Sequence, residues 1–332
     1  VADYISDRLD VYTRVTNKIV EAIEAGADRW DMPWHVPANM GYPVNAASGK
    51  AYRGVNILTL WVESQLKGYS DPTWATYKQW QALGKQVAKG EKSTIGVFWK
   101  RFDDVSDDAC HDDEQTEPDR MGRTRMMARG FSLFNACQTE GYEPPQLPAK
   151  PNHERIESAE AFFRSAGASI RHGGSKAFYH PTNDFIQMPP FDAFRDPIAY
   201  YSTLAHESTH WTGHRSRLDR DLKGRFGDES YAAEELIAEL GGAFLAATLG
   251  LTPEPRPDHA AYIQSWLKIL KNDNRAIFTA ASHAQRAADY LHDKQSPAPT
   301  PEPPDPGDGL RTPHRPQAPV AVLHRRLLRP GL

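Results

Sequence analysis

The sequence predicts an α+β chain of two domains: a mixed α/β domain on the N-terminal side, then a helix-rich domain carrying a hydrolytic metal motif. Three observations lead there. Segments with helical spacing are interspersed with short runs of strand character. A proline-rich stretch, EPPQLPAKPNHE at 143–154, divides the chain. An H-E-x-x-H lies within LAHESTHWTGH at 204–214, on a segment punctuated as a helix. The expected boundaries are 1–145 for the first domain, 146–154 for a linker and 155–294 for the second domain. The remaining 295–332 is a Pro-rich tail that cannot pack a core.

The 332 residues, 39% apolar and 25% charged, suit two domains of ordinary size. No stretch of 18 apolar residues occurs, so no membrane partner is expected. The N-terminus is charged and helix-patterned rather than signal-like. It lacks an initiator Met, which suggests processing or trimming. Two cysteines, Cys110 and Cys137, make no disulfide framework, and cytoplasmic localisation is expected.

In chain order, residues 8–25 place Val11, Val15, Ile19, Ala22 and Ile23 on one helical face, with Gly26 as the stop. A long Pro-, Asn- and Gly-rich loop follows, then a helix from ILTLWVESQLKG. DPTWATYKQWQALG reads as a further helix, with Asp71 as N-cap and Pro72 at its first position. KSTIGVFWKR and RMMARGFSLFNACQT read as strands. Between them, 103–119 holds nine acids and no Lys or Arg, a solvated excursion. Beyond the linker come a helix from IESAEAFFRSAG and a hairpin in KAFYHPTNDFIQMPP that turns at 181–184. Asp196-Pro197 then opens the helix carrying the metal motif. A helix from SYAAEELIAELGGAFLAATLG and two more over about 257–293 complete the second domain.

On a helix, residues i and i+4 share a face, so His206 and His210 can aim nitrogen lone pairs at one ion. Glu207, beside them, is placed to act as general base on a water at that ion and to pass the proton to a leaving amine. Zn2+ prefers nitrogen and oxygen ligands of this kind; another divalent ion such as Mn2+ also fits. The third ligand is sought on the next helix. Glu235 followed by Glu239 one turn later resembles the gluzincin arrangement, in which the first acid binds metal and the second orients a ligand histidine. Glu234 and His214 are rivals for the ligand role, although Gly213 is expected to break the helix before His214. Tyr179, His180 and Tyr231 are candidates for stabilising an oxyanion. Phe185 to Pro189 is the candidate edge strand for holding a substrate peptide.

The first domain has a different chemistry. Six of eight tryptophans fall at or before residue 99, and residues 45–102 hold nine Lys or Arg against three acids. Cations interleaved with aromatics favour single-stranded nucleic acid, whose bases stack and whose phosphates meet the cations. Trp61, Trp80 and Trp99 occupy apolar positions and are assigned to the core. Trp34 and Trp74 are expected to be partly exposed. With Lys50, Arg53, Asn56, Lys78, Lys85, Lys89 and Lys92 they form the candidate DNA-binding set, Asn56 reading a base edge.

VTNKIVEAIEAG with a following PW at 33–34, SGKAYRGVN at 48–56, WATYKQWQALGKQVAKGEKST at 74–94 and FNACQTEG at 134–141 resemble the ArdC-type antirestriction proteins. So do LAHESTHWTGHRSRLDR at 204–220 and YAAEELIAELGGAFL at 231–245. The resemblance runs in order over roughly 8–293. It implies an N-terminal single-stranded-DNA-binding domain, a C-terminal zincin-like metallopeptidase domain, and a role in mobile elements, shielding an incoming strand from host restriction. A restriction subunit or another DNA-bound protein is then the expected peptide substrate. Some conjugative primases carry a similar region. The sequence departs from the family pattern in its long acidic stretch and in Cys137, where an acidic residue is expected. Two other readings stay open: a DNA-binding protein whose metal only holds the fold, and a regulatory zincin that cleaves a repressor.

Overall fold

A computed structural model describes residues 11–27, 32–36, 40–102, 125–143, 152–222, 229–251 and 260–295. The acidic stretch at 103–119 with Cys110, most of the expected linker and the Pro-rich tail lie outside the described residues.

Helix α1, Val11–Gly26, buries Val11, Val15, Ile19 and Ile23 along the face that their spacing defines. Strand β1, Val44–Asn45, is followed by α2, Val55–Lys67. Gly54 precedes α2 at φ 58 and ψ −133, a conformation open to glycine alone. The stretch expected as one helix from Asp71 instead splits into β2, Thr73–Ala75, and a short α3, Tyr77–Ala82. Asp71 is not the cap. Its carboxylate accepts from the Thr73 N–H at 2.7 Å, which turns the chain into the strand. Thr76 is the cap, in a reciprocal pair with Gln79. Strands β3, Thr94–Phe102, and β4, Arg125–Asn135, form a continuous antiparallel ladder. The sheet order is β1-β2-β4-β3, with β1 and β2 parallel.

Helix α4, Asn152–Ala166, starts inside the expected linker. Strands β5, Ile170–His172, β6, Phe178–His180, and β7, Phe185–Met188, form a second sheet ordered β5-β7-β6. Helix α5, Pro197–Thr212, begins as expected: the Asp196 carboxylate accepts from the Ala199 N–H at 2.8 Å, and Gly213 closes it. Then come α6, Glu229–Leu249, α7, Ala260–Asn272, and α8, Ala276–Asp293. The chain is α+β, and among the described residues no helix is long and apolar enough to cross a membrane.

The two domains share one hydrophobic core. Residues through Gln295 form a single compact unit, whose main cluster mixes Val15, Ile19, Trp34 and Trp61 with Phe244, Trp266 and Phe278. Trp61 meets Phe244 edge-on at 5.9 Å, and Tyr12 meets Phe278 at 4.7 Å. Polar contacts tie the same halves: Thr16 donates to the Asn274 carbonyl at 2.7 Å, and Gln285 accepts from the Gly54 N–H at 3.1 Å. Helix α1 packs on α7, and α2 packs on α8.

Candidate metal centre and nucleic-acid face

Helix α5 crosses α6 so closely that a Cβ on Gly241 would stand 2.5 Å from the Thr209 side chain, and one on Gly242 would stand 3.3 Å from the backbone nitrogen of His206. This approach brings the motif histidines onto the acids of α6. The two Nε2 atoms of His206 and His210 lie 3.2 Å apart. Glu235 completes the triangle, Oε2 at 3.5 Å from His206 Nε2 and Oε1 at 3.5 Å from His210 Nε2. Ligands about 2.0–2.1 Å from a tetrahedral ion stand about 3.3–3.4 Å from one another. Three donors of the right type at that spacing fit one divalent cation, and no other His, Cys, Asp or Glu group among the described residues converges in this way.

The Nδ1 side of each ring faces a different carboxylate. Glu234 Oε1 lies 3.2 Å from His210 Nδ1, and Arg220 clamps the carboxylate, donating from Nη2 to Oε1 at 2.8 Å and from Nε to Oε2 at 3.0 Å. Glu239 Oε2 lies 3.6 Å from His206 Nδ1. Glu234, the sequence rival for third ligand, thus points at the back of His210 rather than into the triangle. His214, the other rival, lies past the end of α5 with Nδ1 bonded to Ser216 Oγ at 2.7 Å, in a turn outside the cluster.

Burial and charge act against each other here. Burial disfavours a charged His210, yet Glu235 and Glu234 outweigh it and raise the imidazole to about 10. Burial would likewise raise the Glu235 carboxyl, but His210 and His206 hold it well below the usual carboxylate range. Glu234 is held low by His210 and Arg220 against the same burial. Glu207 and Glu239 are buried beside Glu234 and Glu235, so four carboxyl groups crowd the two histidines.

The triangle opens into a cleft of about 330 Å³ lined by Glu207, Phe178, Tyr179, Tyr231 and Tyr262. Tyr231 and Tyr179 both line the cleft, and the Tyr231 hydroxyl accepts from Tyr262 at 3.5 Å beside Glu235. The Tyr179 hydroxyl donates to Asp184 at 2.8 Å and accepts from Arg217 at 3.2 Å. The His180 ring stacks on Phe185, and its Nδ1 accepts from the Asn183 N–H. The expected edge strand is also corrected. Residues 185–188 form β7, the centre of their sheet, because β5 pairs on its far side; the open edge flanking the cleft belongs to β6.

The DNA-binding candidates divide. Lys50, Arg53, Lys78, Lys85, Lys89 and Lys92 are exposed. Trp34 and Trp74 are fully buried and offer no face for a base. The turn around Trp34 fills the helical core, and Trp74 sits on a strand under α2, so both rings serve packing. Asn56 is also committed: its amide donates to the Val97 carbonyl at 2.8 Å and accepts from the Val97 N–H at 2.7 Å, continuing β3 like a partner strand. Trp99, assigned to the core from its alternation, is 42% exposed, because the outer face of β3 is only partly covered. Tyr77 and Leu83, at 40% and 46%, flank the Lys78 and Lys85 side of α3.

Residues 157–283 match the zincin-like metallopeptidase family, and residues 9–134 match the N-terminal domain of anti-restriction factor ArdC. The metal-free crystal structure of the antirestriction ArdC protein from plasmid R388 is 41% identical, with a TM-score of 0.68 over 86% of this chain and 98% of that one. The chain belongs to the ArdC-type antirestriction family. The Mn(II)-bound form of the R388 protein is similar at a TM-score of 0.67 and 40% identity, again over 86% of this chain and 98% of that one. Protein y4eC of Sinorhizobium fredii (strain NBRC 101917 / NGR234) is 54% identical over 87% of this chain and 94% of its own length. Two DNA primases TraC of Escherichia coli are 38% identical over 84% and 83% of this chain, which spans only 27% and 19% of their lengths.

In this ArdC-type chain, the residues that sequence reasoning missed are the partners of Glu239. Its Oε1 accepts from Trp34 Nε1 at 3.2 Å and faces His35 Nε2 at 3.0 Å. No spacing rule reaches across more than 200 residues, so only the tertiary structure exposes this pair. Arg220 was visible as a basic residue after the motif, but not its hold on Glu234.

Proposed function

We propose that this ArdC-type protein binds single-stranded DNA through its N-terminal region and carries a zinc- or manganese-dependent peptidase site, together protecting the incoming DNA of a mobile element from host restriction. The observation that carries the reading is the convergence of His206, His210 and Glu235 at metal-ligand spacing in a cleft that also holds Glu207. In this reading His206, His210 and Glu235 are the ligands, while Glu239 and Glu234 orient His206 and His210. A bound divalent cation supplies Lewis-acid polarisation of a peptide carbonyl and acidifies water. Glu207 takes the proton from the attacking water and delivers it to the departing amine. The Tyr231 hydroxyl donates to the oxygen on which negative charge develops. The free edge of β6 accepts an extended peptide as an added strand, with Phe178 contacting its side chains.

The exposed cations at 50, 53, 78, 85, 89 and 92 support nucleic-acid binding, with Tyr77 in place of the buried tryptophans as the stacking surface. The likeness to proteins named antirestriction factor and DNA primase supports the same partner.

The deciding experiment is DNA transfer into a restricting host, wild type against Glu207→Ala, with metal content and affinity for single- and double-stranded oligonucleotides measured at two salt concentrations. Loss of protection with metal and DNA binding intact supports the peptidase reading. Full protection by Glu207→Ala refutes hydrolysis for this role and leaves DNA occupancy to protect.

A further inference from the structure

We propose that Trp34 and His35, from the N-terminal region, are positioning residues of the metal centre: they fix the Glu239 carboxylate, and through it the His206 ring. The inference rests on the metal reading of His206, His210 and Glu235 given above.

The Met32 N–H donates to His35 Nδ1 at 3.2 Å. Nδ1 is therefore the acceptor, and the ring proton sits on Nε2, where it donates to Glu239 Oε1 at 3.0 Å. The Trp34 indole N–H donates to the same oxygen at 3.2 Å. Two donors on Oε1 set the plane of the carboxylate, and Oε2 is the oxygen turned towards His206 Nδ1 at 3.6 Å. A carboxylate facing Nδ1 favours a proton there and leaves the Nε2 lone pair for a metal. All of these groups are buried, with side-chain exposures of 6% for His35, Glu239 and His206, so water does not substitute for a lost donor.

The donors are rigid. Trp34 packs edge-on against Trp266 at 6.1 Å, and the Trp266 N–H donates to the Ala232 carbonyl on α6 at 3.0 Å. The turn at 32–36 is thus pinned to the helix that supplies Glu235 and Glu239. His210 has its counterpart within the second half, Glu234 held by Arg220. Among the described residues, the His206 side alone draws its support from the N-terminal region, so the centre is shared between the two halves of the chain. A purely structural role for Trp34 would depend on its ring volume; the proposed role depends on its N–H.

The test measures Zn2+ and Mn2+ affinity of the full chain by competition with a chelator. Trp34→Phe keeps the ring and removes the donor; His35→Ala removes the other donor, and His35→Gln restores an N–H near the place of Nε2. Trp34→Phe and His35→Ala are expected to weaken metal binding about 10- to 100-fold, with His35→Gln recovering most of it. Affinity for a single-stranded oligonucleotide is expected to stay at the wild-type level, since both rings are buried. If His210→Ala abolishes binding while Trp34→Phe and His35→Ala stay within about twofold of wild type, the positioning role is overturned and the metal reading stands. If His210→Ala binds as wild type does, the metal reading fails and this inference falls with it. Should His35→Ala not fold, Trp34→Phe, the more conservative change, decides alone.

Discussion

Asp184 shows how one side chain shapes the rim of the cleft. It occupies left-handed backbone, φ 50, in the turn between β6 and β7. Its carboxylate accepts from Arg217 Nη1 at 3.0 Å and from the Tyr179 hydroxyl at 2.8 Å. Arg217 also donates to the Trp211 carbonyl at 2.6 Å and lies over the Trp211 ring at 3.9 Å. The turn is thereby tied to the segment that ends α5. Hydrogen bonding from Arg217, above all, holds the Asp184 carboxyl below its usual range against the effect of burial. A lowered native value means that the stabilisation is present in full above the unfolded value, about 4, and is lost as pH falls through the native one. Asp184→Asn, which tolerates the same backbone, is expected to lower the Tm at neutral pH, with the gap to wild type closing below about pH 4. A gap that stays constant from pH 8 to pH 3 would show that the pair contributes nothing through its charge.

At the scale of elements, the crossing of α5 and α6 makes the centre, and the residues that permit it are Gly241 and Gly242. An added Cβ at 241 meets Thr209, whose hydroxyl is already bonded to the Ala205 carbonyl at 2.9 Å, so the branched side chain has little freedom to turn away. Gly241→Ala is expected to destabilise the fold by about 1–3 kcal/mol through overpacking. It should also weaken metal binding, because the helices must separate. Normal metal affinity in a folded Gly241→Ala protein would show that the crossing has slack. These helices were legible in sequence for a physical reason. Asp196-Pro197 and Gly213 act locally, and the i,i+4 geometry of His206 and His210 belongs to any helix. Which acid of α6 faces the two histidines was less legible: 234 and 235 are neighbours, and helix phase relative to a partner is a tertiary property. Likewise, Asp71-Pro72 carries the punctuation of a helix start, but it lies beside a sheet that captures Thr73–Ala75 as a strand. Short segments follow their neighbours more than their own propensity.

For the whole molecule, the two domains read from the sequence on either side of a proline-rich linker are present, and their apolar faces join in one core. The linker composition is a local signal. The complementarity of α1 and α2 with α6, α7 and α8 is spread over residues far apart in the chain, each an ordinary core position by itself. The tryptophans were misjudged for the same reason: Trp34 lies in a loop by composition, and only the assembled helices enclose it. A shared core predicts shared unfolding. Thermal unfolding of the full chain is expected to be one transition, with helix content followed by circular dichroism and burial followed by tryptophan fluorescence giving the same midpoint. Residues 155–294 expressed alone would expose the surface that Ile19, Trp34 and Trp61 cover, and should bind a hydrophobic dye and melt without a cooperative transition. They would also lack both donors to Glu239, so metal should bind more weakly even in whatever fraction folds. Two separate transitions in the full chain, or a cooperative fold with wild-type metal affinity in the fragment, would instead establish independent domains and confine the metal centre to the second.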